Sequence, residues 1–344
     1  MAPSCLQSIS SPRGSSYNAV IILCALSLTI FPVTPAHAWG YVGHRVVCEM
    51  AFDMLARDKQ TVVNELVRSF TKPNGKRFKR FSDSCVFADI ARHNARDGLK
   101  RWRGYANFDH WHYMNVPRTT LATLPEFRAE SIAENGFELV VGKTHLKSGV
   151  ESHCRADCVL HAIAFHSRIL ADTDLPTARR GEALIFLSHW IADIHQPLHV
   201  GFADDRGGSD IGLRPDEGVG KNLHSAWDAG LIKRSRGKRK LSQYIRDLSH
   251  IEQANKLAWA DELNPLQWAA ESYAIATSPE AQYCRREFSS GREAAQQTYA
   301  GSCESIRTSR SISDRYVGTI APLLEKRLQQ ASVRLAIQLG KLLD

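Results

Sequence analysis

Apolar residues recur with a helical period along most of this chain. In residues 40–56 they fall at Val42, Val46, Val47, Met50, Ala51, Met54 and Leu55, the i, i+3, i+4 pattern of a helix with one buried face. The same reading predicts helices over 58–66, 82–92, 131–141, 159–171, 241–248, 265–277, 292–299 and, long and amphipathic, 314–343. One predicted helix differs. Over 178–194, the residues Ala183, Leu184, Ile185, Phe186, Leu187, Trp190, Ile191, Ala192 and Ile194 leave almost no polar face, so it is expected to be buried on all sides. Pro197 stops it. Only 111–116 leans toward strand, through its aromatic and β-branched residues. Gly-rich 201–221 reads as a loop or small hairpin, and 72–80, with Pro73, Asn74-Gly75 and five positive charges, as a surface loop. The pattern describes a single, mainly α-helical domain over 39–344.

The buried helix carries polar chemistry. His189 and Asp193 are four residues apart and share one face, and His199 follows just after Pro197. His224 and Asp228 repeat the four-residue spacing downstream. A lone His-x3-Asp pair is most simply an internal hydrogen bond. Burying an imidazole and a carboxylate is costly unless each is paired, and two such pairs with a fifth ligand nearby point instead to a metal cluster. His44, Asp89 and His112 are further candidates, as is the backbone amine of Trp39 should the chain be cut before it. Nine groups exceed one zinc site and suit three, with N/O donors that favour zinc and a carboxylate that can bridge two ions. His145, His153, His161 and His166 have no acidic partner at helical spacing and are assigned structural or surface roles.

Composition adds a compartment and a charge. The apolar run 19–31 follows a weakly basic start and precedes Ala36-His37-Ala38, the layout of a secretory signal peptide over residues 1–38, cleaved between Ala38 and Trp39. The mature protein is then exported, secreted or periplasmic, without stable membrane association. Eight cysteines become six after cleavage: Cys48, Cys85, Cys154, Cys158, Cys284 and Cys303. An even number in an exported chain predicts disulfides, with Cys154–Cys158 a local pair. The formal charge of +8 includes one Arg and no acid in the leader, leaving 8 − 1 = +7, which suits an anionic partner such as nucleic acid.

Taken in order, these residues resemble the secreted three-zinc single-strand nucleases of the S-one/P-one type. The resemblance rests on WGYVGH from Trp39, the Ala88-Asp89 of VFADIAR, WHYMNVP from Trp111, FLSHWIADIHQPLH from Phe186 and NLHSAWD from Asn222, with WAAESYAIA over 268–276 and the RLAIQL tail. It spans nearly all of 39–344, and the absence of Asn-x-Ser/Thr sequons points to a bacterial member.

What the resemblance implies is specific. The fold is the compact helical one shared with zinc phospholipase C, with a small β-hairpin and disulfides, Cys48–Cys85 being the expected pair. Three Zn2+ are held: one by Asp89, His112, His189 and Asp193; its neighbour by Trp39, His44 and bridging Asp193; the third by His199, His224 and Asp228. Asp89 and Asp193 act in catalysis, and Tyr113 and Asn115 contact substrate. Asn115 stands where many fungal and plant members carry Asp, which leaves base preference open. The expected activity is that of a monomeric endonuclease hydrolysing single-stranded DNA and RNA to 5′-phosphates through a water activated by paired zincs. Two alternatives are a phospholipase C of the same fold, which typically has Glu where Asp228 stands, and a non-catalytic zinc-binding protein, which would be expected to carry His-rich tracts.

Overall fold

The computed structural model describes residues 39–116, 158–214, 218–283 and 311–344. The helices expected over 131–141 and 292–299, the leader 1–38, and Cys154, Cys284 and Cys303 lie outside these residues. Helices α1 (Gly40–Met54) and α2 (Arg57–Ser69) follow the first two apolar stripes, α2 burying Val63, Leu66 and Val67. The helix expected over 82–92 is broken into α3 (Phe81–Ser84) and α4 (Phe87–Arg96). The break falls at Cys85, which is bonded to Cys48 and whose carbonyl accepts a hydrogen bond from Nδ1 of His189 at 2.6 Å. Cys158 is also disulfide-bonded; its expected pairing with Cys154 falls outside the described residues.

A thirteen-residue 3₁₀ run, Lys100–His112, corrects the strand expected from Trp111. Its aromatic residues Trp102, Tyr105, Phe108 and Trp111 recur every third position, the period of a 3₁₀ helix rather than of a strand. They form one continuous row of contacts with ring centroids 6.2, 5.8 and 4.5 Å apart, tilted, edge-to-face and stacked in turn. Extended backbone begins only at Tyr113.

Helix α5 (Val159–Ala171) packs along α6 (Thr177–Ile194), the helix without a polar face. Every residue of α6 from Ala183 to Ile194 is buried, with α2 on another flank. A short 3₁₀ turn, Pro197–Val200, follows at Pro197. After the loop come α7 (Leu223–Ser225), a π-helical turn Ala226–Gly230, α8 (Leu231–Arg236), α9 (Leu241–Leu248), α10 (Gln253–Asp261), α11 (Pro265–Ala276) and α12 (Asp314–Leu342), which lies along α1. Helix α10 left no stripe in the sequence because Trp259 alone of it is buried. Residues 233–240 carry six basic side chains, KRSRGKRK, and are half helix, with Arg234 paired to Asp314 and Arg239 to Asp247.

Among the described residues, β-structure is confined to isolated bridges. The hairpin expected in 201–221 is reduced to Gly212 opposite Asn222, flanked by two 2.9 Å hydrogen bonds, from Leu213 N–H to Lys221 O and from Leu223 N–H to Ile211 O.

The two C-terminal motifs meet under the end of α6. Arg327 and Arg334, both fully buried, converge on Glu271 at 2.6 and 2.7 Å. Arg327 also donates to the carbonyls of His195 and Trp268 and to Ser272 Oγ, while Ser272 donates to the Ile194 carbonyl at 2.5 Å. These groups satisfy carbonyls that the end of a helix leaves without partners. Two guanidiniums there also complement the negative end of the helix dipole. No described helix is long and apolar enough to cross a membrane.

Candidate metal centre

Five elements converge on one polar interior. Helix α1 brings His44, α4 brings Asp89, the end of the 3₁₀ run brings His112, α6 brings His189 and Asp193, and the turn after Pro197 brings His199; all six are buried. Asp193 lies at the middle. Its Oδ1 is 3.3 Å from His44 Nε2 and 3.7 Å from His199 Nδ1, while its Oδ2 is 3.0 Å from His112 Nδ1 and 3.2 Å from His189 Nε2. Asp89 faces the same imidazoles, 3.8 Å from His112, 3.9 Å from His44 and 4.0 Å from His189. Beside this group, His199 Nε2 and His224 Nε2 approach the two oxygens of Asp228 at 3.6 and 3.4 Å. Ligand atoms of His44, Asp89 and His189, of His112, His189 and Asp193, and of His199, His224 and Asp228 each fall within 4.8 Å of one another.

The donor set fits metal ions. Both nitrogens of His44, Oδ1 of Asp193, Nδ1 of His199 and Oδ2 of Asp228 are buried with no hydrogen-bond partner. Five such atoms aimed at shared space would be a large uncompensated cost in a folded interior. One His44 nitrogen carries a proton, and the lone pairs of the other atoms are the kind that bound cations take. Two of the imidazoles have their second ring nitrogen held by a backbone acceptor, an arrangement typical of metal-binding histidines. Nδ1 of His189 donates to the Cys85 carbonyl (2.6 Å) and Nδ1 of His224 to the Gly207 carbonyl (2.8 Å). Gly207 has φ +61°, and a Cβ there would sit 2.4 Å from the Leu198 carbonyl oxygen, so only glycine brings its carbonyl this close.

Electrostatics favour anionic carboxylates and mostly neutral rings. Burial pushes His44 and His224 below the usual imidazole value and His112 down to about 3. Burial also lowers His189, but the Asp193 and Asp89 carboxylates outweigh it and raise this ring. Burial would raise Asp193; His189 and His199 overcome it and hold the carboxyl well below the carboxylate range. Arg92, one helical turn after Asp89, donates to Asp89 Oδ1 at 3.1 Å. Its charge is felt at His112, His199 and His224.

The extended segment after His112 is pinned beside the His199 turn. Met114 N–H donates to His199 O and Val116 N–H to Gly201 O, both at 2.8 Å. Met114 and Val116 are buried while Tyr113 and Asn115 alternate with them on the half-buried side. Trp39 is fully buried, its indole N–H donating to the Ala192 carbonyl on α6 at 2.5 Å. All eleven residues singled out in the sequence are therefore described, and the eight side-chain ligand candidates fall in one connected group.

The sequence model of the S1/P1 Nuclease family matches residues 39–344. The chain belongs to this family. Curated relatives agree: it is 26% identical to Endonuclease 1 of Arabidopsis thaliana over 341 residues, covering 96% of this chain and 93% of that protein. It is 23% identical to Endonuclease 2 of the same plant, over 94% of this chain and 97% of that one. With Nuclease P1 of Penicillium citrinum it shares 39% identity over 85 residues, 25% of this chain and 31% of that protein. Membership makes nucleic acid the substrate class and phosphodiester hydrolysis the chemistry.

Several functional neighbours were missed by sequence reasoning. Arg92 was signalled by its spacing of three from Asp89 on a helix. Gln196, Asp205 and Tyr283 carried no such signal. Tyr283 OH donates to buried Asp205 at 2.5 Å, and Asp205 accepts the Gly208 N–H at 2.9 Å, fixing the loop that offers the Gly207 carbonyl to His224.

Proposed function

We propose that the protein is an exported, monomeric, zinc-dependent endonuclease that cuts single-stranded DNA and RNA and leaves 5′-phosphates. The observation that supports it best is the set of buried, partnerless nitrogen and carboxylate atoms of His44, Asp193, His199 and Asp228 converging from four elements. Asp89, His112, His189 and Asp193 would hold one zinc, Trp39, His44 and Asp193 its neighbour, and His199, His224 and Asp228 a third. When bound, such ions supply Lewis acidity, drawing a proton from water near neutral pH and offsetting charge on the phosphate.

The chain's own residues do the rest. Asp89 stays ionised, so it accepts a hydrogen bond from the attacking water and orients it. Arg92, held between Asp89 and Asp109 at 3.1 and 3.9 Å, neutralises part of the phosphate charge. Tyr113 offers a ring face for an unpaired base, and Asn115 two hydrogen-bonding groups for a base edge. A base can stack on a side chain only outside a duplex, which gives the single-strand preference. Cleavage after Ala38 would give Trp39, buried against α6, a free amine.

The test is one preparation of chain starting at Trp39, made without chelator. Elemental analysis should return close to three zincs, and a single-stranded oligonucleotide should be cut faster than its duplex, with phosphate on the 5′ ends. About one zinc, equal cutting of duplex, or turnover of phosphatidylcholine in place of nucleic acid would overturn the reading.

A further inference from the structure

Gln196 stands between three members of the centre and binds to all of them. It is fully buried. Its backbone N–H donates to the Asp193 carbonyl at 2.9 Å, and its own carbonyl accepts the His199 N–H at 3.0 Å. Its side-chain Oε1 accepts the Leu198 N–H at 2.6 Å, closing the turn that presents His199. Its Nε2 donates to Oδ1 of Asp228 at 2.5 Å. One residue thus connects the helix carrying Asp193, the turn carrying His199 and the π-helical turn carrying Asp228.

The chemistry of the side chain is selective. The amide must face Asp228 with its nitrogen, because its oxygen is already committed to the Leu198 N–H. Only one oxygen of Asp228 is engaged in this way. The other, Oδ2, has no hydrogen-bond partner and faces His224 Nε2 at 3.4 Å. Fastened at Oδ1, which also lies 3.6 Å from His199 Nε2, the carboxylate is held with Oδ2 turned toward His224. A glutamate of the same size would bring a second anion against Asp228 and could not donate while ionised.

We infer that Gln196 is the positioning residue of the third cluster: it holds Asp228 in the orientation that turns Oδ2 toward His224 and a divalent cation, and it sets that cluster's distance from Asp193. This rests on the reading of His199, His224 and Asp228 as a zinc site. Partners that orient metal ligands change affinity by roughly 10- to 100-fold when removed, so the effect should appear in zinc binding before it appears in folding.

The experiment compares the wild-type chain starting at Trp39 with Gln196→Met, which keeps the length and loses both the donor to Asp228 and the acceptor of the Leu198 N–H, and Gln196→Glu, which keeps the shape and the acceptor but cannot donate to Asp228 while ionised. Each is titrated with a chromophoric chelator to give zinc affinity per equivalent, and the melting midpoint of the metal-free form is recorded. In both variants one of three equivalents should bind roughly 10- to 100-fold more weakly and the other two should be unchanged, whereas the metal-free midpoint should fall in Gln196→Glu, whose added anion lies against Asp228. In an Asp228→Asn background, adding Gln196→Met should change zinc affinity little, since Gln196 acts through that carboxylate. Three equivalents bound as tightly in both variants as in wild type overturn the inference while leaving the zinc reading intact. Equal weakening of all three equivalents overturns it in favour of a general packing role. A wild type that binds only two overturns the underlying reading and the inference with it.

Discussion

Nε2 of His44 lies 3.3 Å from Oδ1 of Asp193, both side chains are fully buried, and neither atom has a hydrogen-bond partner. The opposite oxygen of Asp193 faces His112 and His189 at 3.0 and 3.2 Å. One carboxylate therefore divides two groups of imidazoles, as a bridge between two ions would. Asp228 has a simpler position, beside His199 and His224 and with no second group of rings.

This asymmetry predicts unequal consequences. Asp193→Asn should abolish phosphodiester cleavage, with a loss well beyond the ~100-fold typical of groups that only orient ligands. His224→Ala should retain measurable turnover, because it removes one ring from the outer cluster. Steady-state rates on a single-stranded oligonucleotide at saturating zinc give the comparison. Equal residual rates would show that Asp193 does not occupy a special place.

The Cys48–Cys85 bond joins α1 to the break between α3 and α4 across 37 residues of chain. In the chain-entropy account, a loop of that size stabilises by about 4 kcal/mol. It also fixes the Cys85 carbonyl that accepts from His189 Nδ1. Cys48→Ser with Cys85→Ser should therefore lower the melting midpoint and also weaken zinc binding in the molecules that remain folded. Calorimetry and chelator competition report the two effects separately; loss of stability with zinc affinity intact would remove the disulfide from the site's support.

Much of this was legible in the sequence, and the reasons are local. His189 and Asp193 stood out because polar residues in a helix with no polar face need a purpose, and helical spacing placed them together. Asp228 stood out through its four-residue spacing to His224, whereas no histidine precedes Asp89 at that spacing, and it took its role from the resemblance to the family. The 3₁₀ run was not foreseen because aromatic residues at period three also read as β-prone over a short window, and the Trp111-to-Val116 stretch was taken for strand. The contacts of Gln196 and the convergence of Arg327, Arg334 and Glu271 depend on pairings up to 63 residues apart, which no local pattern encodes.

That arginine pair gives a stability prediction with a pH sign. Burial alone would raise the Glu271 carboxyl, but the hydrogen bonds from Arg334 and the charge of Arg327 overcome it and hold it below its usual value. A carboxyl depressed in the folded state stabilises fully above its unfolded value of about 4.3, and that contribution is lost as pH falls through the lower folded value. Glu271→Gln should cost about 3 kcal/mol at neutral pH, the lower part of the range for breaking a buried pair, since 26% of the Glu271 side chain remains exposed. The metal-free variant should also lose less stability than wild type between pH 5 and the acid limit of folding. Urea melts at a series of pH values provide the check, and parallel pH profiles for the two proteins would contradict it.

The last prediction concerns Trp39. Its backbone is proposed to bind a zinc, and a backbone nitrogen does so usefully only as a free amine. Its geometry supports a chain that starts there. Trp39 has φ +39°, a left-handed conformation that costs a non-glycine residue roughly 1–2 kcal/mol. That angle is defined by the preceding carbonyl, so an N-terminal residue escapes the strain. The rest of Trp39 is fixed: its indole donates to Ala192 O at 2.5 Å, its carbonyl accepts the Gly43 N–H at 3.1 Å, and a Cβ on Gly43 would come within 2.8 Å of its own Cβ. An added residue therefore cannot be relieved by moving the tryptophan, and it converts the amine to an amide next to His44. Two purified forms should be compared, one starting at Trp39 and one carrying a single Gly or Met before it. The extended form is expected to lose one zinc equivalent and most of its turnover, which would keep the enzyme silent until its leader is removed. Full zinc content and full activity in the extended form would refute the backbone ligand and leave His44 and Asp193 to hold that ion without it.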